Sequence, residues 1–157
     1  MYALLGAITF VTKMALAPLP NIEPVSLMIM LYAVILGKRC FFPVLVYIGL
    51  EWLVWGFGLW TANYLYIWPL LAGIAYLFRG MEAPLGWAVL SGAFGLCFGA
   101  LCAPVYAIAG GWAYGLSWWV AGIPFDLLHC AGNFAIALVL FNPLRRLLKK
   151  LLFLFQI

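Results

Sequence analysis

Asp126, His129 and Asn133 are spaced i, i+3 and i+7 in the run Gly122-Ile-Pro-Phe-Asp-Leu-Leu-His-Cys-Ala-Gly-Asn133. On a helix they share one face. A carboxylate, an imidazole and a carboxamide arranged this way can hold a ligand, or they can bond one helix to its neighbours. Seam bonds of that kind contribute only about 0.6–2 kcal/mol each between apolar helices. Both readings fit the spacing; a proton relay built on a single His is the weakest alternative. Glu51 presents the same choice. It sits in the apolar run Gly49-Leu-Glu-Trp-Leu-Val-Trp55, where an unpaired carboxylate either takes up a proton or recruits a cation. Lys13 is the candidate cation. The two form a pair that holds helices together, or one or both touch a ligand. Glu23 lies between Pro20 and Pro24 in a short loop. Placing an ionisable group in hydrocarbon costs roughly 2.5–3.5 kcal/mol, so such groups tend to line sites.

That cost applies because the elements carrying these residues must be membrane helices. The chain has 157 residues, of which 69% are hydrophobic and 8% charged. A soluble domain carries about 25% charge. The long apolar runs are continuous and do not alternate with polar residues, which favours helices over a membrane barrel. The first run lacks a basic leader and a cleavage signature, so it reads as a retained helix. The expected fold is all-α, one transmembrane domain over 1–157.

The bundle is expected over 1–141, in about six spans. These are Tyr2–Ala17, Val25–Gly37, Phe41–Trp60, Tyr64–Phe78, Pro84 to about Ala109, and Pro124–Phe141. Pro24 suits the start of the second. Between the last two lies Gly110–Ile123, uncharged and rich in Gly and Trp; it reads as a loop that closes over an outward-facing pocket. Residues 142–157 read as a separate amphipathic helix, with Asn142 as cap and Pro143 at its first position. Arg145, Arg146, Lys149 and Lys150 take one face; Leu144, Leu147, Leu148, Leu151 and Phe155 take the other. Such a helix lies on a membrane surface.

Seven of the eight Lys and Arg fall outside the spans: Lys38, Arg39, Arg79, Arg145, Arg146, Lys149 and Lys150. All belong to alternate loops or the tail. Excess Lys and Arg marks the cytoplasmic side, so both termini are expected there. The net charge of +4 is therefore a set of membrane anchors, and no nucleic-acid partner is expected. The chain has no Walker phosphate loop and cannot by itself hydrolyse ATP. It also lacks His-Glu-x-x-His, Gly-x-Ser-x-Gly and clustered metal-ligand spacing, so no catalytic residue, metal or cofactor is assigned. The cysteines Cys40, Cys97, Cys102 and Cys130 form no Cys-x-x-Cys pair and read as packing residues.

Aromatic residues crowd the outer side: Trp60, Tyr64, Tyr66, Trp68, Trp112, Tyr114, Trp118 and Trp119. An interfacial belt accounts for many of them. Small residues recur at four-residue spacing, Ala3 and Ala7 in the first span and Ser91, Gly95, Gly99 and Ala103 in the fifth. Such stripes let helices approach closely. The second stripe is expected inside the bundle, and the first can face another protein.

Four segments together resemble a known family: Ala3-x-x-x-Ala7, Pro20-Asn-Ile-Glu-Pro-Val-Ser-Leu27, Asn63-Tyr-Leu-Tyr-Ile-Trp-Pro69, and Gly122-Ile-Pro-Phe-Asp-Leu-Leu-His129 to Gly132-Asn133. They look like the substrate-binding membrane subunit, the S component, of energy-coupling factor (ECF) transporters. The resemblance implies a six-helix bundle that captures a vitamin or related micronutrient from outside. It implies partners too: a membrane coupling subunit and two cytoplasmic ATPase subunits. Ala3 and Ala7 would contact the coupling subunit. The candidate substrate contacts are Lys13, Glu23, Glu51, Asn63, Trp68, Trp118, Trp119, Asp126, His129 and Asn133. The expected location is a bacterial cytoplasmic membrane, crossed several times. Two other readings stand beside this one. One is a cell-envelope scaffold related to rod-shape-determining proteins, whose intramembrane charges would pair with each other. The other is a small membrane enzyme acting on a lipid through His129 with Asp126 or Glu51.

Overall fold

The computed structural model describes residues 1–18 and 24–154. Seven α-helices occur among them: α1 Tyr2–Leu16, α2 Val25–Leu36, α3 Phe41–Trp55, α4 Leu59–Leu77, α5 Pro84–Leu96, α6 Phe98–Gly110 and α7 Trp112–Leu154. Glu23, with Pro20 and Asn21, lies outside the described residues, as does Phe155. Three helical stretches, Val25–Trp55, Pro84–Gly110 and Trp112–Leu154, are long and apolar enough to cross a membrane, and Tyr2–Leu16 is a shorter apolar helix. The chain has the character of a membrane protein.

Side-chain contacts set the directions of the rods. Tyr2 stacks on Phe42, and Lys13 meets Glu51, so α1 and α3 run parallel. The Tyr32 hydroxyl donates to the Leu5 carbonyl, which sets α2 antiparallel to α1. The stretch Val25–Trp55 is therefore two rods. It reverses through the 3-10 turn Gly37–Cys40, where Gly37 takes φ +58°, a region that favours glycine. Buried residues occupy nearly every face of α2. A helix apolar all round belongs in the centre, and α1, α4 and α7 surround it.

The third span ends earlier than expected, at Trp55 rather than Trp60. Gly56, at φ +77°, stops α3. The Thr61 hydroxyl donates to Gly56 O at 2.9 Å and accepts from Gly58 N–H at 2.9 Å. The polar residues Thr61 and Asn63, between the third and fourth expected spans, thus lie in the first turns of α4.

α5 and α6 follow one another across the single residue Cys97 and run antiparallel to α7. Trp87 stacks on Phe141 with ring centroids 4.5 Å apart, and near the other end Tyr106 stacks on Trp118 at 4.1 Å. The small-residue stripe makes this approach possible. A Cβ on Gly95 would lie 2.8 Å from the His129 carbonyl oxygen.

Two expectations are corrected here. Gly110–Ile123 is not a lid loop: Trp112 onward is helix, and the reversal occupies Gly111 at φ +89°. Gly115 lets α7 press on α6, since a Cβ there would lie 2.7 Å from Ala107 Cβ. Nor does a new helix begin at Asn142, for α7 continues through Pro124 and Pro143 to Leu154. Proline inside a helix is tolerated where neighbouring helices and side chains satisfy the freed carbonyl.

Candidate functional site

The basic residues collect at one end of the bundle. Leu36, Leu148 and Leu152 line one small cavity there, Arg79 lies over the Tyr76 ring, and Glu82 shares a cavity with Arg145, Arg146 and Lys149. The start of α1 and the end of α7 lie at this end too. The opposite end is formed by the C-terminal part of α1 and the α3–α4 turn, and it opens into a cavity of about 480 Å³.

Lys13, Glu51, Trp55, Phe57, Trp60 and Thr61 line that cavity. Lys13 enters from the last turn of α1 and Glu51 from the last turns of α3. Lys13 Nζ lies 2.7 Å from Glu51 Oε2, the only ion pair within 4.0 Å among the described residues. Glu51 is 1% exposed and Lys13 19%, so the pair has a buried carboxylate and a wetter ammonium. Glu51 Oε1 has no hydrogen-bond partner among the described residues. A buried carboxylate oxygen left unmatched costs about 1–3 kcal/mol or more. A ligand N–H or O–H would remove that cost.

An aromatic layer forms the floor. Lys13 Nζ also reaches the Tyr64 hydroxyl at 3.5 Å and sits 5.4 Å from that ring's centre. Trp60 Nε1 donates to the same hydroxyl at 3.0 Å. Below it Trp68 is fully buried, with its ring centre 5.4 Å from Tyr64 and 5.6 Å from Phe98. Phe98 in turn meets His129 edge-on at 5.0 Å. Trp68 Nε1 has no acceptor among the described residues.

The polar face of α7 is real: Asp126, His129 and Asn133 are all buried. Asn133 Nδ2 donates to Ser26 Oγ at 3.1 Å and to the Ser91 carbonyl at 3.3 Å, tying α2, α5 and α7 together. Asp126 Oδ1 accepts the Gly99 N–H at 2.9 Å. Gly99 lies in the first turn of α6, where the change of helix at Cys97 frees backbone donors. The carboxylate therefore caps α6 from a neighbouring helix, while its Oδ2 has no partner among the described residues. His129 lies beneath Phe98, within reach of the aromatic layer. Asn63 bonds within its own helix α4: its Nδ2 donates to Leu59 O at 2.9 Å, and its Oδ1 accepts from the Tyr66 hydroxyl. Trp118 joins the aromatic cluster 6.3 Å from Trp60. Trp119 faces elsewhere, into a shallow groove with Ala100, Pro104 and Trp112.

The fold thus brings Lys13 and Glu51 to a cavity, sets Trp68, Trp118 and His129 in or under its aromatic floor, places Asp126 and Asn133 in helix seams, and bonds Asn63 within its own helix. Trp55, Phe57, Trp60, Thr61 and Tyr64 were absent from the candidate contacts. The signal that could have found them is Trp55-Gly-Phe-Gly58, a glycine-spaced aromatic turn just after Glu51. Among the described residues no three His, Cys, Asp or Glu side chains gather as metal ligands. No protein-family profile, curated protein or solved structure matches the chain.

Proposed function

We propose that the chain is a membrane subunit that captures a small molecule from outside, in the manner of an ECF-transporter S component. The observation that carries this reading is Glu51. It is buried, bonded to Lys13 through one oxygen and without a hydrogen-bond partner among the described residues on the other, and it lines a cavity. A cationic group, a carboxylate and flat aromatic rings together suit a partly aromatic molecule with a few polar groups, of the size of a vitamin or related micronutrient. The charge asymmetry between the two ends supports an outward-facing pocket, six crossings and cytoplasmic termini. In this reading ATP hydrolysis belongs to partner subunits, and the bundle itself performs no catalysis.

The surface for the coupling subunit is the outer face of α1. Ala3 is exposed and Ala7 half-buried, beside exposed Leu4, Ile8 and Val11. Gly6, not the alanines, makes the close approach to α3; its Cβ would lie 2.7 Å from Pro43 O and Val46 Cβ. The alanine pair is left available for another helix.

The scaffold reading draws on one observation, the Lys13–Glu51 pair, since a scaffold's intramembrane charges would pair with each other. Native mass spectrometry of the detergent-solubilised chain after exposure to a cell extract separates the two. A retained small molecule that Glu51→Gln releases supports capture. An empty cavity in both proteins would leave the scaffold reading.

A further inference from the structure

At the basic end, α7 carries Asn142, Arg145, Arg146 and Lys149 at i, i+3, i+4 and i+7, one face of the helix. With Glu82 from the connection between α4 and α5 they line an open cavity of about 260 Å³. Glu82 lies within 4.0 Å of none of these cations, because Lys13–Glu51 is the only such pair among the described residues. Arg145 Nε is buried and has no acceptor among the described residues. A guanidinium offers donors in a planar fork that matches two oxygens of a carboxylate or phosphate, and an ammonium adds a point charge. Three cations and a carboxamide around one cavity therefore match a phosphate-type oxyanion. The lone carboxylate at the rim calls for a donor on the same ligand, a hydroxyl or an ammonium.

Exposed apolar side chains lie on the two helices that flank the cavity. On α7, Leu138 and Val139 precede Asn142 and Arg146 by one and two turns on that face, and both are exposed. On the adjoining rod α5, Leu85 and Val89 are exposed as well. We propose that this cavity is a binding site for one anionic phospholipid. Its phosphodiester rests on Arg145, Arg146 and Lys149, its headgroup hydroxyl on Glu82, and its acyl chains along the exposed side chains of α5 and α7. A free phosphate shares the headgroup chemistry but leaves the apolar track unused. The site is separate from the Glu51 cavity, and its test does not depend on what that cavity holds.

The test is native mass spectrometry of the whole chain in a neutral detergent. It is titrated in turn with phosphatidylglycerol, phosphatidylcholine and inorganic phosphate. A single phosphatidylglycerol should be retained, and neither of the others. Arg145→Gln with Arg146→Gln should weaken retention by about tenfold or more. Lys38→Gln with Arg39→Gln removes the same charge elsewhere at this end and should leave retention within about twofold. Arg145→Lys keeps the charge but loses the fork, and it should weaken retention as well. If the double arginine variant does not fold, Arg145→Lys and Lys149→Gln carry the test. Equal losses in the two double variants would mean diffuse charge and overturn the site. Retention of inorganic phosphate without phosphatidylglycerol would overturn the lipid assignment.

Discussion

Glu51 and Asp126 are both buried carboxylates in apolar helices, yet their surroundings differ. Glu51 has a cation at 2.7 Å and a cavity in front of it. Asp126 has a backbone N–H at 2.9 Å and a helix against it. Glu51→Gln keeps the volume and removes the charge that Lys13 and a ligand share. It should weaken ligand retention by about tenfold or more, with a small loss of stability because Lys13 can turn to water. Calorimetric titration beside a ligand-free melting curve reads both. Asp126→Ala removes the acceptor of the Gly99 N–H and should cost about 1–3 kcal/mol in that melting curve. Asp126→Asn retains an acceptor oxygen, so most of the stability should survive. Affinity should be unchanged in both Asp126 variants. A loss of affinity in Asp126→Asn with an unchanged melt would move this residue from the seam to the ligand.

Among the helices, glycine and alanine on different faces of one helix play different parts. In α1, Gly6 is buried against α3 whereas Ala3 points outward. Gly6→Ala drives a methyl into Pro43 and Val46, and overpacking of this kind costs about 1–3 kcal/mol. A lower melting temperature is expected, with partner binding retained by the molecules that fold. Ala3→Leu with Ala7→Leu should do the reverse. Melting and ligand retention should hold while co-purification with a coupling subunit and its ATPases, and uptake, are lost. If ligand retention fell together with uptake, or if neither changed, α1 would not be that interface. Element existence was largely legible beforehand: α2 and the start of α5 fall where the apolar runs and prolines put them. The segment after Gly110 was misread because glycine marks both turns and close helix contacts. Gly111 is the turn, but Gly115 is a contact with Ala103 and Ala107. Likewise Asn142-Pro143 has the signature of a helix start, but a proline tolerated inside a packed helix looks the same in one dimension.

Across the molecule, the two ends are chemically distinct. One holds the basic loops and tail, the other the Lys13–Glu51 cavity and its Trp-rich rim. In an otherwise cysteine-free chain in intact cells, Ser117→Cys should react with an impermeant thiol reagent, and Gly80→Cys should not. Both positions are exposed in the fold, Ser117 in the second turn of α7 and Gly80 in the turn after α4, and the expected difference follows from the side of the membrane each end faces. The reverse pattern would invert the molecule and sink the capture reading. The sequence by itself determined the class of environment, because 69% hydrophobic residues in continuous runs leave helices as the economical solution. It determined the charge asymmetry, since the positions of seven cations in the chain need no folding to be read. It also determined which faces of single helices are polar, because helical periodicity is local. Only the tertiary structure decided which of those faces meets a cavity. Asp126 and Asn133 carry the same kinds of group as a ligand site. Whether each meets a ligand or another helix depends on what packs opposite, here Gly99, and Ser26 with Ser91. That choice is made between segments far apart in the chain, where no local spacing records it.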